Sequence, residues 1–269
     1  MAIPFLTAQW RYLFMVNYEV DPAVLAPYLP AGVELDDWHG KTLASMVGFR
    51  FLNTRVLGVP VPFHTNFDEV NLRFYVRRRV GEEWRRGVVF VKEIVPRPWI
   101  ARVARLLYKE PYVAMPMGHT VEADRKPRPQ NGAPGGAPAH SWLVEYTWKH
   151  RPPRALRRKL HRLGGLITAP SGDPRPIEPG SIEEFITEHY WGYTRLSATT
   201  TAEYRVEHPR WRAWPVAQPY LLCDVKALYG ASFEPDLRRR PHSALLAEGS
   251  AIKVFLGSKI TAKKEQDPR

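Results

Sequence analysis

This chain of 269 residues has one cysteine, Cys223. A lone thiol excludes an internal disulfide framework and a cysteine-rich metal site, and it fits a reducing compartment. No run of eighteen apolar residues occurs, and the opening MAIPFLTAQWRYLF lacks a basic region ahead of a long apolar core. Neither a membrane span nor an export signal is expected, and a soluble cytoplasmic protein is. The glycine-rich GAPGGAP lacks the Lys and the Ser or Thr of a phosphate loop, and no GxSxG elbow is present. The histidines are scattered, with no helical HExxH and no cysteine partners, so no metal and no cofactor are expected. No internal period is found, which excludes a solenoid or propeller.

What the chain does have is positive charge: 39 Lys and Arg against 27 Asp and Glu give a formal +12. Such an excess permits contact with nucleic acid or an anionic surface. Its arginines cluster at Arg77 to Arg79, Arg85 and Arg86, Arg151 to Arg162, and Arg238 to Arg240, which read as turn or loop positions. A solvated face is the plainer account of them.

Aromatics make up 12% of the chain, with nine Trp and 26 Pro, a mixture that suits many strands and shaped loops. Length and the absence of a linker predict one domain over 1–269. TAQWRYLFMVNYEV reads as a strand, followed by a short helix that Asp21 caps and Pro22 opens. KTLASMVGFRFLNTRV is a second strand, and FDEVNLRFYVRRRV with EWRRGVVFVKEIV around GEE reads as a hairpin. An amphipathic helix is expected from PRPWIARVARLLYKEP, then extended structure from YVAMPMGHTVEA. An exposed Pro/Gly-rich loop is expected at about 123–140, a strand at SWLVEYTWKH, and a helix or loop at PPRALRRKLHRLGG. IEEFITEHYWGYTRL and TTAEYRVEHPRW suggest a second hairpin. WPVAQPYLLCDVKALYG suggests a strand and turn, SALLAEGSAIKVFLGSKI a closing pair of strands, and residues after about 261 a frayed tail. Many strands with few helices predict a mainly β sandwich or barrel.

Period-two alternation places Phe67, Glu69, Asn71, Arg73 and Tyr75 on one face of their strand and Val70, Leu72, Phe74 and Val76 on the other. The first face is either solvated or the polar lining of an interior cavity. In GVVFVKEIVPRPW the same rule puts Lys92 with Val88, Phe90 and Ile94, and Glu93 with Val89, Val91 and Val95. In TEHYWGYT it groups His189, Trp191 and Tyr193. A histidine between aromatics suits proton transfer or stacking on a ligand, and equally a half-buried structural role.

VDPAVLAPYLPAGVELDDWHGKTLASMVGFRF, FDEVNLRFYV, GVVFVKEIVPRPWIARVARLLYKEPYVAMPM, EHYWGYT and LLAEGSAIKVF, in that order, resemble a bacterial family of uncharacterised YqjF-like proteins grouped with acetoacetate decarboxylase. The resemblance implies a cone-shaped, mostly antiparallel β-barrel with a few outer helices, an internal ligand cavity, and often a homo-oligomer. In the decarboxylases a cavity lysine forms a Schiff base with a keto acid, while an acidic side chain and an arginine handle protons and the substrate carboxylate. Such a lysine needs a depressed pKa. Here Tyr112 follows Pro111 in YKEPYVAMPM with no lysine after it, so the usual nucleophile is absent and Lys92 is the substitute if it points inward. The expected partner is a small keto-acid-like or other carbonyl ligand. Glu69, Lys92, Glu93 and His189 are the candidate catalytic residues, and Asn71, Arg73, Tyr112, Trp191 and Tyr193 the candidate ligand contacts. The alternatives are a binding module without catalysis, and nucleic-acid or anionic-surface binding through the arginines.

Overall fold

The stretches richest in β-branched and aromatic residues form the long strands. Along the chain these are β1 (Leu6–Glu19), β2 (Lys41–Val56), β3 (Phe67–Val80), β4 (Glu83–Val95), β5 (Tyr112–Ala114) and β6 (Met117–Glu122). They continue with β7 (Leu143–His150), β8 (Arg162–Thr168), β9 (Trp191–Arg195), β10 (Thr200–Glu207), β11 (Tyr220–Leu222) and β12 (Ser243–Val254). Short helices among the described residues accompany them, including α1 (Pro22–Leu25), α2 (Ile182–Thr187), α3 (Val225–Tyr229) and α4 (Glu234–Leu237). The computed structural model describes residues 3–62, 64–102, 109–122, 143–150, 162–170, 172–216 and 218–261. The expected loop at 123–140, the basic stretch 151–161 and the tail after 261 lie outside the described residues, as do residues 103–108 of the expected helix, whose residues 98–102 are helical.

Strands β12, β1, β2, β3, β4, β9 and β10 pair in that order, and β10 pairs back onto β12, so the sheet closes into a ring. Neighbours in the ring run antiparallel except β4 with β9. The observed fold is therefore the mainly β, barrel-like one expected. A second antiparallel sheet, ordered β11, β8, β7, β6, stands beside the ring. No helix among the described residues is long and apolar enough to cross a membrane.

Alternation then divides the apolar side chains into two clusters. Phe14, Met46, Leu72 and Phe74 leave one face of the ring strands and pack with Tyr146, Trp148 and Leu166 of the second sheet and with Leu228, Tyr229 and Leu237 of α3 and α4. Leu13, Met15, Val47, Phe49 and Tyr75 leave the other face and meet inside the ring with Tyr204, Trp211 and Phe185. Both faces are covered, which explains why these strands read as nearly continuous apolar runs. Irregular pairing helps the second sheet dock: β1 shifts register between Arg11 and Phe14, and Tyr146 donates its hydroxyl to the Tyr12 carbonyl at 2.8 Å.

Several expectations are corrected. IEEFIT is the helix α2, not a strand: Ser181 accepts a hydrogen bond from the Glu184 amide at 3.2 Å, and Glu184 accepts one from the Gly180 amide at 2.7 Å. The Ser181 cap, with Glu184 holding the amide just ahead of it, outweighs the β-branched content. DVKALY likewise forms α3, capped by Asp224. LGG, read as the end of a helix or loop, lies in strand β8, in which Gly164 makes room for the Trp148 indole. A Cβ there would stand 2.1 Å from the ring.

The arginines at 77–79 and 85–86 sit on the β3–β4 strands rather than in a turn, and they are engaged. Arg78 and Arg85 hold Glu203 at 3.1 and 2.6 Å, Arg86 holds Asp36 at 2.7 Å, and Arg77 holds Glu34 at 2.7 Å. Arg79 lies over the Trp84 ring.

Candidate functional site

The inward face of the ring surrounds a cavity of about 90 Å³. Apolar walls come from β1, β2 and the segment after β10, with Trp10, Phe49, Phe51 and Trp211 in edge or tilted contact. The polar lining comes from β3, β4, the residues leading into β5, and the loop between α2 and β9.

On β3, alternation delivers what the sequence pattern requires of the cavity alternative: Glu69, Asn71 and Arg73 all line the interior, while Val70, Leu72, Phe74 and Val76 pack outside. The face is not solvated, because the ring closes over it.

On β4, simple alternation fails. Leu72 pairs with Lys92, but the next β3 residue, Arg73, pairs with Phe90, which leaves Val91 as an extra residue. This bulge shifts the phase of the strand, so that Glu93 joins Val88 and Phe90 in the cavity wall. Lys92 consequently points the other way. Its ammonium donates to the Leu228 carbonyl near the end of α3 and lies 5.5 Å from the Tyr229 ring centre. Burial lowers its pKa, yet the side chain does not line the cavity, so its expected role as nucleophile has no geometric basis.

Three carboxyl groups meet in the interior. Glu69, Glu93 and Glu110 are 2%, 1% and 4% exposed. Asn71 donates to Glu69 at 3.0 Å and the Tyr112 hydroxyl donates to its other oxygen at 3.3 Å. Tyr204 donates its hydroxyl to Glu110. Oε2 of Glu93 is buried without a hydrogen-bond partner.

Burial pushes Glu69 up to about 7, against the opposing effects of Asn71, Tyr112 and Arg73. Burial and the nearby Glu69 raise Glu110 to about 8. Glu93, desolvated and facing both Glu110 and Glu69, is held well above the usual carboxylate range. Like charges in a dry site cannot all ionise, so at neutral pH the cluster holds protons that it can give and take.

Tyr112, directly after Pro111, lines the cavity. His189 also lines it, but from the loop before β9 rather than from a strand. The grouping of His189 with Trp191 and Tyr193 therefore does not hold. Trp191 borders the cavity, yet its ring lies 4.3 Å beneath the Arg85 guanidinium and packs against the outer cluster. Tyr193 belongs to that outer cluster and donates to the Arg85 carbonyl at 3.2 Å, so it does not touch the cavity. The inward residue of β9 is Gly192, which leaves space for Tyr204: a Cβ there would stand 2.1 Å from its ring.

Glu110 and Tyr204 were missed from the sequence. The available signal for Glu110 was YKEPY itself, where a charged residue stands beside Pro111 in the segment carrying Tyr112. Among the described residues no lysine lines the cavity, and Arg73 is its one permanent cation.

Comparison with known proteins places these features in context. The family model DUF2071, described as an uncharacterized conserved protein, matches residues 7–251. The uncharacterized protein YqjF of Bacillus subtilis (strain 168) is 35% identical over 68 residues, a stretch covering 25% of this chain and 28% of that protein.

Among solved structures, an acetoacetate decarboxylase-like enzyme from Sphingomonas wittichii RW1 superposes with a TM-score of 0.59 at 16% identity, over 95% of this chain and 92% of that one. Acetoacetate decarboxylase from Legionella pneumophila gives 0.60 at 13% identity, over 97% and 88%. The enduracididine biosynthesis enzyme MppR, complexed with the condensation product of pyruvate and imidazole 4-carboxaldehyde, gives 0.59 at 12% identity, over 96% and 90%. At these identities the likeness is one of fold.

Proposed function

This chain belongs to the DUF2071 family of uncharacterized conserved proteins, and we propose that it takes a small carbonyl compound bearing a carboxylate into the ring cavity and acts on it by acid–base chemistry without a lysine Schiff base. The observation that carries this is the cluster of Glu69, Glu93 and Glu110, buried together beside Arg73 in a cavity with no lysine among its described lining residues. The pyruvate-derived ligand of MppR supports the substrate class. A cavity of about 90 Å³ suits a molecule of a few heavy atoms.

In this scheme Arg73 pairs with the carboxylate. Its terminal nitrogen donates to the Ile186 carbonyl at 3.3 Å, and its Nε is buried with no partner. Glu69, with a pKa of about 7, is present in part as carboxylate at neutral pH and removes the proton from the carbon next to the carbonyl. Glu93, protonated, gives its proton to the carbonyl oxygen. The product is an enol, and return of both protons regenerates the keto form. Two carboxyls set to different protonation states by their surroundings divide the acid and base roles.

The test is solvent deuterium uptake at the carbon next to the carbonyl of pyruvate, 2-ketobutyrate and acetoacetate, followed by proton NMR. Exchange above the buffer rate is expected with at least one of them, and borohydride is expected to trap no adduct by intact mass. Absence of exchange with every acid would refute the acid–base scheme, and a trapped adduct would refute the exclusion of a Schiff base. The aromatic walls at Trp10, Phe49 and Trp211 favour a second reading, retention of the ligand without turnover. Ligand-induced shifts with no exchange would establish it.

A further inference from the structure

The proton-transfer scheme leaves several polar groups of the cavity unused, His189 among them. His189 is held between the Tyr75 ring, 4.8 Å away, and the Phe185 ring, 5.1 Å away and edge-on. Its Nε2 lies 3.1 Å from Asp36 Oδ2, the same oxygen to which Arg86 Nε donates at 2.7 Å, and Arg77 stands 3.9 Å from the other oxygen.

Burial alone would raise the Asp36 pKa, but the hydrogen bonds and charges of His189 and Arg86 bring it below the ordinary value. An ionised carboxylate can only accept, so the proton on His189 sits on Nε2. Burial, with help from the Arg86 and Arg73 charges, pulls the His189 pKa down to about 4, and the ring is neutral. Nδ1 is left as a bare acceptor. It is buried and has no hydrogen-bond partner.

Arg73 belongs to the same corner. Its guanidinium carbon lies 5.7 Å from the Tyr75 ring centre, the ring that also packs on His189, and its Nε is likewise buried without a partner. An acceptor with no proton to give thus stands near a cationic donor. A buried acceptor without a partner is destabilising, and a ligand that carries the missing donor relieves this.

We propose that Arg73 and His189 together recognise a hydroxylated carboxylate, with Arg73 taking the carboxylate and His189 Nδ1 accepting the hydrogen bond of a hydroxyl on the neighbouring carbon. This rests on the reading that the cavity admits a small carboxylate, and it narrows the substrate to one with a hydroxyl beside that group and its carbonyl farther along, toward the glutamates. A carbonyl oxygen in the hydroxyl's place would meet the Nδ1 lone pair, so pyruvate and 2-ketobutyrate should bind less tightly than acetoacetate, whose carbonyl lies one carbon farther from the carboxylate. Asp36 is a positioning residue, because it fixes the tautomer.

Equilibrium binding of lactate, propionate and pyruvate by calorimetry or NMR titration tests this. Lactate is expected to bind at least about tenfold more tightly than propionate, the scale of one hydrogen bond to a buried acceptor. His189→Phe should bring lactate down to the affinity of propionate while leaving propionate unchanged. Asp36→Asn presents its amide oxygen to His189 Nε2, because Arg86 Nε donates to the same position, so it keeps the ring proton on Nε2 and should keep the preference for lactate over propionate. Asp36→Leu removes the acceptor that fixes the tautomer and should narrow that preference while propionate binding stays near native, a selective change that general loosening of the site would not produce.

Equal binding of lactate and propionate to the native protein would overturn the proposal while leaving keto-acid exchange untouched. Binding of none of the three would overturn it together with the admission of small carboxylates. Lactate preference without any keto-acid exchange would uphold it and sink the acid–base scheme alone.

Discussion

The β3–β4 hairpin has two buried faces, and they are built on opposite principles. The outer face carries Leu72, Phe74, Val89 and Ile94 against the second sheet and the short helices, and its burial is favourable throughout. The inner face carries Glu69, Asn71, Arg73 and Glu93, three of them no more than 2% exposed. Burying carboxyl groups is unfavourable by several kcal/mol unless they are protonated or paired. The same two strands therefore hold the fold with one face and sustain a strained set of acids with the other. A fold under selection for stability alone has no reason to keep three carboxyls in one dry corner.

Neutralising the inner face without changing its shape should separate the two faces most sharply. Glu93→Gln should reduce deuterium exchange into the keto acid by about 10²–10⁴, the usual contribution of a positioned acid or base. Its midpoint in urea at pH 8 should stay the same or rise, since the variant removes a group that disfavours ionisation in place. A loss of stability with exchange retained would mean that Glu93 is structural.

The outer face should respond in the reverse sense. Trp148, 1% exposed and seated on Gly164, anchors the second sheet. Trp148→Ala should lower unfolding free energy by about 3–5 kcal/mol, while the exchange rate per folded molecule at low temperature stays close to native. A fall in that rate at full folding would show that the two faces are coupled.

The carboxyls also set the pH dependence of stability. Their folded pKa values, about 7 for Glu69, about 8 for Glu110 and higher than usual for Glu93, lie above the value of 4.5 of a free glutamate. The folded state therefore holds more protons than the unfolded one between those limits, and the stability they contribute is complete below 4.5 and lost as pH rises through 7 and 8. His189 acts in the opposite direction, because its folded pKa of about 4 lies below 6.5, but that contribution changes only between these two values. Above pH 6.5 the His189 contribution is complete, so the carboxyls should make stability fall from pH 6.5 to pH 8.5 by an amount on the order of a few kcal/mol. Glu93→Gln should flatten this slope. A native slope of zero or of opposite sign would contradict the buried cluster.

How much of this was legible in the sequence depends on where the backbone stays regular. The β3 strand keeps a strict period of two, so the grouping of Glu69, Asn71 and Arg73 on one face could be read directly, whereas closure of the ring over that face could not. The fold class followed from many strands and from ordered motifs spread along the chain. What could not be read is local departure from period: the extra residue at Val91 reversed the facing of Lys92 and Glu93, and the Ser181 cap turned IEEFIT into a helix, so that His189 lies before β9 instead of in it. Glu110 and Tyr204 come from elements distant in the chain, and closure of the ring alone brings them to the same carboxyl cluster. Pairing of the arginines with Glu203, Glu34 and Asp36 was hidden for the same reason.

The smallest expected effect decides which side of the bulge matters. Lys92 is the residue a Schiff-base mechanism would need, and it lies on the stabilising face, with its stem packed near Tyr229 and its ammonium on the Leu228 carbonyl. Lys92→Met keeps the length and apolar stem but removes one charged hydrogen bond near the end of a short helix. A loss of about 1 kcal/mol is expected, offset in part because a half-buried ammonium no longer has to be desolvated. Exchange of the keto acid should be unchanged in rate and in pH profile. If the same variant instead abolishes exchange while the protein remains folded, the Val91 bulge must slip by one residue in the working state, bringing Lys92 inward and Glu93 out. The distinction between the two faces of the hairpin would then be a property of register rather than of residue type.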